Sequence, residues 1–153
     1  MSKEQLNDAR MEFEKSCDEH IERYGRNARV YISGPMSGLE REQYLEIFRR
    51  ADQALRDQGY RNIVNPINVW ACRWPWLYRI VGYRLTLLYD LWLLMRCDRI
   101  YKLTGWRDSR GANIESCVAY HFKIYPVPES HIKKLDKRLA KLMEKWNNKT
   151  TTD

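Results

Sequence analysis

The sequence predicts an α/β protein in which helices cover both faces of a parallel sheet of four to five strands. Short β-rich segments alternate with longer segments whose apolar residues recur every three or four positions, as in chains that build parallel sheets. The chain has 153 residues, of which 44% are hydrophobic. That is enough to bury a core without disulfides or a structural metal, so we expect a single domain, 1–153, with its core at about 28–128.

Turn-forming residues and the period of the apolar side chains set the limits of each element. A period of three to four residues predicts a helix, and a β-rich run that stops at glycine or proline predicts a strand. In chain order the expected elements are a helix at 2–24 ended by Gly25, a strand at 29–33 ended by Gly34-Pro35, a helix at 40–58 ended by Gly59, a strand at 60–65 ended by Pro66, a helix at 83–96, a strand at 98–103, a helix at 110–122, a strand at 123–127 ended by Pro128, a helix at 129–147 and a frayed tail at 148–153.

Two segments leave alternatives open. Residues 67–82 are rich in tryptophan and show no clear period, which predicts a loop. Its aromatic side chains fit the wall of a ligand pocket, or alternatively a hydrophobic lid or a subunit interface. The helix at 129–147 has apolar residues at nearly heptad spacing, so it either docks on the domain or pairs with another subunit.

Charge restricts the class of partner. The chain carries 27 Lys and Arg against 20 Asp and Glu, a net charge of +7, which favours phosphate-bearing partners. Many of the lysines lie in the helix at 129–147, where aromatic residues interleave them only from Trp146 on. That pattern favours a solvated helix face, so nucleic acid is an unlikely partner.

Other compositional features argue against a membrane, a metal and a secreted protein. The longest apolar run is far shorter than the ~20 residues of a membrane helix, and the N-terminal segment carries no apolar leader. Four widely spaced cysteines and three histidines show no metal-ligand spacing, so we expect no metal or other cofactor. Free thiols favour a cytoplasmic location.

Ligands of parallel sheets bind where the strands reach their carboxyl ends, and the first loop there is SGPMSG. Its small residues let a ligand approach the backbone and offer donors to a phosphate or sugar, although a simple turn explains the loop equally well. Glu115 follows the third such loop, one to two turns into the helix expected at 110–122. The helix dipole there favours an ionised carboxylate, which can act as a nucleophile, but periodicity alone favours an ordinary surface glutamate.

A set of short motifs resembles the nucleoside 2-deoxyribosyltransferase-like superfamily over about residues 29–127. The motifs are Tyr31-Ile-Ser-Gly34-Pro35, Asp90, Cys97-Asp98 and Ser109-x-Gly111-Ala112-x-x-Glu115. The string Gly-Trp-x-x-Ser-x-Gly-Ala-x-x-Glu is similar to an uncharacterised branch of phage and bacterial proteins. The resemblance implies a flavodoxin-like fold and assembly into dimers or larger homo-oligomers.

The resemblance also implies cleavage of the N-glycosidic bond of deoxynucleosides or their 5′-monophosphates through a covalent glutamyl-sugar intermediate. Glu115 occupies the position of the nucleophile. Asp90 matches the aspartate that manages the proton on the departing base, and Tyr31 matches the tyrosine that orients the nucleophile. Two carboxylates with divided roles suit a retaining displacement.

Ser109 narrows the expected substrate. Base-exchanging transferases of the superfamily usually carry aspartate at this position, whereas the related nucleotide hydrolases carry serine, which binds the 5′-phosphate. Those hydrolases carry arginine where this chain has Ser37. In this chain, Arg107 or Arg110 could replace that arginine. The expected substrate-binding residues are Ser33, Gly34, Pro35, Ser37, Gly38, Trp70, Trp106, Ser109 and Gly111.

The favoured function is therefore an N-glycosidase that converts 2′-deoxynucleoside 5′-monophosphates to free base and deoxyribose 5-phosphate. Deoxyribosyl transfer between bases is the close variant. The alternatives are a catalytically inactive module that binds or sequesters a nucleotide, and a basic nucleic-acid-binding protein.

Overall fold

The computed structural model describes residues 2–5, 7–9, 11–12, 15, 25–36, 38–68, 74–127 and 129–150. Its strands and α-helices are, in chain order, β1 (Val30–Ser33), α1 (Arg41–Asp57), β2 (Ile63–Val64), α2 (Pro75–Leu94), β3 (Arg99–Lys102), α3 (Arg110–His121), β4 (Tyr125–Pro126) and α4 (Glu129–Thr150). Of the helix expected at 2–24, residues 3–5, 7–9, 11–12 and 15 are helical, and the rest lies outside the described residues.

The four strands form one parallel sheet in the order β2-β1-β3-β4. β1 lies at its centre, where Tyr31 pairs with Val64 on one side and with Ile100 on the other. The α/β architecture with flavodoxin-like character is thus confirmed. β2 and β4 are shorter than the segments expected at 60–65 and 123–127, since only two residues of each pair in the sheet.

The alternation of side chains along the strands divides the core into two layers. On one face, Val30 and Ile32 pack with Phe48 of α1 and Leu139 of α4. On the other face, Tyr31 and its neighbours pack with residues of α2 and α3. The face under α2 and α3 is the one that carries the candidate site.

α4 docks on its own domain. Leu139 is fully buried in the core, and Met143 and Trp146 pack against it. The phenolic hydroxyl of Tyr101 donates to Asp136 across 3.0 Å and fixes the helix to β3. Of the two alternatives for this segment, the structure shows docking, and the helix continues to Thr150 instead of fraying after 147.

The prediction of a loop at 67–82 is wrong in its second half. Helix α2 begins at Pro75 and is interrupted at Gly82, which has φ 82° and ψ 165°. The interruption rotates the first helical segment relative to the second, so one apolar period does not run through both. The part from 69 to 73, including Trp70, lies outside the described residues.

The second segment of α2 has two unlike faces. Thr86 and Leu94 point toward the domain and are buried. The opposite face, which we call the outward face, consists of large apolar side chains that are between 42% and 60% exposed: Leu85, Leu88, Trp92 and Met95. The large apolar side chains of the outward face therefore point away from the core of their own chain.

Candidate active site

Glu115 projects from the inner side of α3. The helix begins at Arg110, and the residues that it buries are Ala112, Glu115 and Ala119, three or four positions apart. The two alanines leave room for a longer side chain between the helix and the sheet. Glu115 fills it and is 7% exposed, which corrects the periodicity-based expectation of a surface glutamate.

Two hydroxyl groups of β1 hold the Glu115 carboxylate. The phenol of Tyr31 donates to Oε1 across 2.7 Å, and the hydroxyl of Ser33 donates to Oε2 across 2.5 Å. Tyr31 and Ser33 are two residues apart on one strand, so both side chains lie on the same face of the sheet. Each carboxylate oxygen keeps a further lone pair, because a carboxylate has about four acceptor positions.

Burial and hydrogen bonding act in opposite directions on Glu115. Burial raises its pKa more than the hydrogen bonds from Ser33 and Tyr31 lower it, and the resulting pKa is about 7. Burial, followed by the negative charge of Glu115, raises the pKa of Tyr31 well above its ordinary value. Tyr31 therefore stays protonated and acts as a hydrogen-bond donor.

Asp90 is the second carboxyl group of the site and comes from the inward face of α2. Burial, then the charge of Glu115, raises the pKa of Asp90 to about 7. Its Oδ1 is buried and has no hydrogen-bond partner among the described residues. Because two hydroxyls stabilise negative charge on Glu115, the proton that such a pair retains near neutral pH belongs on Asp90.

The loop after β1 is shaped by packing. A Cβ at Gly34 would lie 2.6 Å from Cδ1 of Leu103, so the glycine lets the loop pass over the end of β3. Pro35 approaches Gly105 of the neighbouring loop, whose Cβ position is 3.7 Å from the Pro35 ring. Gly38 ends the loop in a turn, and Ser37 lies outside the described residues.

Ser109 and Gly111 lie at the amino end of α3. Ser109 is buried, and its Oγ accepts a hydrogen bond from the backbone N–H of Ala112 at 3.4 Å. That bond uses a lone pair of Oγ and leaves the hydroxyl hydrogen to donate elsewhere. Both residues precede Glu115 by less than two helical turns, as the sequence predicts.

The Trp106 ring lies close to two cationic side chains. Nζ of Lys102 lies 4.5 Å and Cζ of Arg107 lies 5.5 Å from the centre of a Trp106 ring. Lys102 also donates to the hydroxyl of Ser116 across 3.2 Å. Burial, then the charge of Arg107, lowers the pKa of Lys102. The side chains of Arg107 and Arg110, the proposed substitutes for a phosphate-binding arginine, are exposed.

The structure thus brings Tyr31, Ser33, Asp90 and Glu115 together. Sequence reasoning assigned Ser33 to substrate binding and missed that it holds Glu115. It also missed Tyr83, whose hydroxyl lies 3.3 Å from the position of a Cβ at Gly111. A signal was present, because Tyr83 precedes Asp90 by two helical turns and shares its helix face.

Comparison with known proteins identifies the family. Residues 28–126 match the family model described as Domain of unknown function (DUF4406). The chain belongs to the DUF4406 family. The matched DUF4406 region runs from the start of β1 to the end of β4 and contains all four residues that the site brings together. The chain matches no curated protein and no solved structure.

Two further observations concern the described part of this DUF4406 chain. No group of three or more His, Cys, Asp or Glu side chains in it is placed to hold a metal ion. None of its helices combines the length and the apolar character needed to cross a membrane.

Proposed function

We propose that this DUF4406 protein is an N-glycosidase that acts on 2′-deoxynucleoside 5′-monophosphates. The observation that carries the proposal is the carboxyl pair of Glu115 and Asp90. Two hydroxyls hold the buried carboxylate of Glu115, and Asp90 has a buried oxygen without a hydrogen-bond partner among the described residues. Such unequal environments separate an ionised nucleophile from a protonated acid. The motif resemblance to the nucleoside 2-deoxyribosyltransferase-like superfamily supports the same assignment.

In the first step, an oxygen of Glu115 attacks C1′ of the deoxyribose while the bond from C1′ to the base nitrogen breaks. Asp90 gives its proton to the departing base, and a glycosyl ester forms on Glu115. In the second step, water attacks C1′, Asp90 takes a proton from that water, and the ester bond breaks. Free base and deoxyribose 5-phosphate leave, or a second base replaces water and the deoxyribosyl group is transferred.

The preference for a phosphorylated substrate rests on the amino end of α3. Ser109 retains a hydroxyl hydrogen to donate, and a serine does not repel an anion as an aspartate would. The positive end of the helix dipole and the nearby side chains of Lys102 and Arg107 favour negative charge in the same region. The net charge of +7 fits an anionic ligand.

A nucleotide-binding module without catalysis is the second candidate. It is favoured by the low exposure of Glu115, which is 7%, and by the engagement of both its carboxylate oxygens. A carboxylate buried in this way can also serve to shape a pocket. The third candidate, a nucleic-acid-binding protein, is supported only by the net charge and by the lysine-rich helix α4.

We further propose that two copies of the chain associate through the outward face of α2. Its four large apolar side chains lie outside both layers of the core, and Trp92 contacts only its helix neighbours Tyr89 and Arg96 among the ring contacts of the described residues. Monomeric proteins rarely expose contiguous apolar patches beyond a few hundred Å². A two-fold axis would pair this face with itself. We also place the enzyme in the cytoplasm, where the free thiols of Cys97 and Cys117 stay reduced.

The proposed function is tested by incubating the protein with deoxynucleosides and deoxynucleoside 5′-monophosphates of all four bases and measuring free base by chromatography. We expect base release from one or more monophosphates and much slower release from the matching nucleosides. If a nucleotide raises the melting temperature but no base is released, the protein is a nucleotide-binding module and not an enzyme. Strong, salt-dependent DNA binding without either effect would favour the third candidate.

A further inference from the structure

The interruption of α2 places one tyrosine at the start of the second helical segment. Gly82 has φ 82°, a conformation that side chains other than glycine rarely adopt, yet a Cβ there would meet nothing within 4 Å. Position 82 therefore needs glycine for its backbone conformation, and not because a side chain would collide with a neighbour. The hydroxyl of Thr86 donates to the Gly82 carbonyl across 3.1 Å and holds the bend, which sets the direction of Tyr83.

Tyr83 lies against the amino end of α3. Its hydroxyl oxygen is 3.3 Å from the position of a Cβ at Gly111, so a residue with a side chain there would press on it. The Tyr83 hydroxyl forms no hydrogen bond with another described residue, and the side chain is 44% exposed. The tyrosine therefore adds little to the core and presents an available donor to solvent.

The two helices meet at two levels along their length. Tyr83 precedes Asp90 by seven residues, or about 10 Å along the helix, and Gly111 precedes Glu115 by four residues, or about 6 Å. Tyr83 and Gly111 form the first level, and the carboxyl pair of Asp90 and Glu115 forms the second. When C1′ of a sugar is placed at the second level for reaction, the first level, where Ser109 also lies, is open to its 5′ end.

We propose that Tyr83 determines specificity for a 5′-phosphorylated substrate by donating its hydroxyl hydrogen to a phosphate oxygen. This inference rests on the proposed function and adds a residue on α2 to the site at the amino end of α3. A phenol suits the role because its hydroxyl group can donate a hydrogen bond to an anionic oxygen. Gly111 is then small because a side chain would displace the Tyr83 hydroxyl from the phosphate.

The test compares Tyr83→Phe and Gly111→Ala with the wild-type protein. Tyr83→Phe keeps the ring and removes the hydroxyl, so we expect the KM for the monophosphate to rise about tenfold, with kcat and the KM for the nucleoside nearly unchanged. Gly111→Ala should likewise raise the KM for the monophosphate relative to the KM for the nucleoside. Tyr120→Phe, which removes a hydroxyl from the exposed side of α3, serves as the control and should behave as wild type.

Dissociation constants for the monophosphate and the nucleoside, measured by calorimetry, separate this inference from the proposed function. If the wild type binds the monophosphate without cleaving it, the catalytic proposal fails, and the loss of monophosphate affinity in Tyr83→Phe still tests the role of Tyr83. If Tyr83→Phe weakens both ligands equally, or neither, the inference is overturned. If the wild type binds neither ligand, both proposals are overturned.

Discussion

Tyr31 donates its phenolic hydrogen to Oε1 of Glu115 across 2.7 Å and joins the central strand to α3, although 84 residues separate the two in sequence. Both side chains are buried, so the bond is shielded from water. It stabilises the charged form of Glu115 and fixes the rotation of the helix about its axis. The same contact therefore serves the fold and the proposed chemistry.

Removing this donor should change the pH dependence of catalysis. Tyr31→Phe removes a bond that holds the pKa of Glu115 down, so the pKa rises further and the acid limb of the profile of kcat/KM against pH moves to higher pH. The free energy of unfolding should also fall by about 1–3 kcal/mol. Base release measured from pH 5 to 9 checks the first effect, and urea denaturation checks the second.

Tyr101→Phe is the matched control for that experiment. Tyr101 also donates to a carboxylate, that of Asp136 across 3.0 Å, but on the opposite face of the sheet. Its loss should lower stability and leave the pH profile unchanged. Identical pH profiles for Tyr31→Phe and wild type would show that the phenol does not act on Glu115.

Asp90 should make stability depend on pH in a defined direction. Its pKa is about 7 in the folded protein against an ordinary value of 3.8, so its stabilising effect is complete below about pH 4 and is lost as the pH rises through 7. Asp90→Asn removes this titration. The variant should be more stable than wild type by roughly 1–3 kcal/mol at pH 8, and this advantage should be smaller at pH 5 and disappear below about pH 4.

Urea denaturation of both proteins at pH 5 and pH 8 measures the difference. An advantage of equal size at both pH values would mean that Asp90 does not titrate in this range. Base release by Asp90→Asn should fall by about a hundredfold or more, because the departing base then lacks its proton donor. A stabilised and fully active variant would remove Asp90 from the proposed mechanism.

The close packing of Gly34 against Leu103 predicts a strong effect of one methyl group. Gly34→Ala places a Cβ 2.6 Å from Cδ1 of Leu103, so the loop or the leucine must move, at a cost of about 1–3 kcal/mol. In the double variant Gly34→Ala, Leu103→Gly, the new methyl group enters the space that the leucine side chain leaves, including that of its Cβ, which lies 2.8 Å from the position of the methyl group. The double variant should therefore lose less stability than the sum of the two single losses, and additive losses would contradict the contact.

The exposed outward face of α2 predicts that the protein is a dimer in solution. Leu88→Glu puts a charge in the middle of this face, so we expect the variant to be a monomer in analytical ultracentrifugation at concentrations where wild type is a dimer. Lys141→Glu on the exposed side of α4 changes charge away from this face and should leave the dimer intact. A monomeric wild type, or a dimeric Leu88→Glu, would exclude this interface.

Sequence periodicity predicts the layers of the fold because strands and helices carry unlike patterns of apolar residues. It fails at 75–82, where Gly82 bends the chain and Trp76 and Ile80 of the first segment of α2 are exposed. It also does not show which side of α2 faces the core. The outward face is the more apolar side, and the inward face includes Thr86 and Asp90, so hydrophobicity alone selects the wrong side.

The motif resemblance predicts the central residues of the candidate site and the contact of Tyr31 with Glu115, but not the contact of Ser33 with Glu115. The motif resemblance selects Tyr31, Asp90 and Glu115, and the structure brings them together. The bond from Ser33 to Glu115 depends on the register of β1 against β3 and on the rotation of α3, which no local pattern encodes. Trp70 and Ser37, also predicted to bind substrate, lie outside the described residues.

The rate of base release from a deoxynucleoside 5′-monophosphate by Glu115→Gln tests the central claim most directly. Glutamine keeps the volume of the side chain and an acceptor for the Tyr31 hydroxyl, but it cannot form the glycosyl ester. We expect the rate to fall at least about a thousandfold, while Glu144→Gln on the exposed side of α4 retains the wild-type rate. A Glu115→Gln variant that releases base at the wild-type rate would contradict the assignment of Glu115 as the nucleophile.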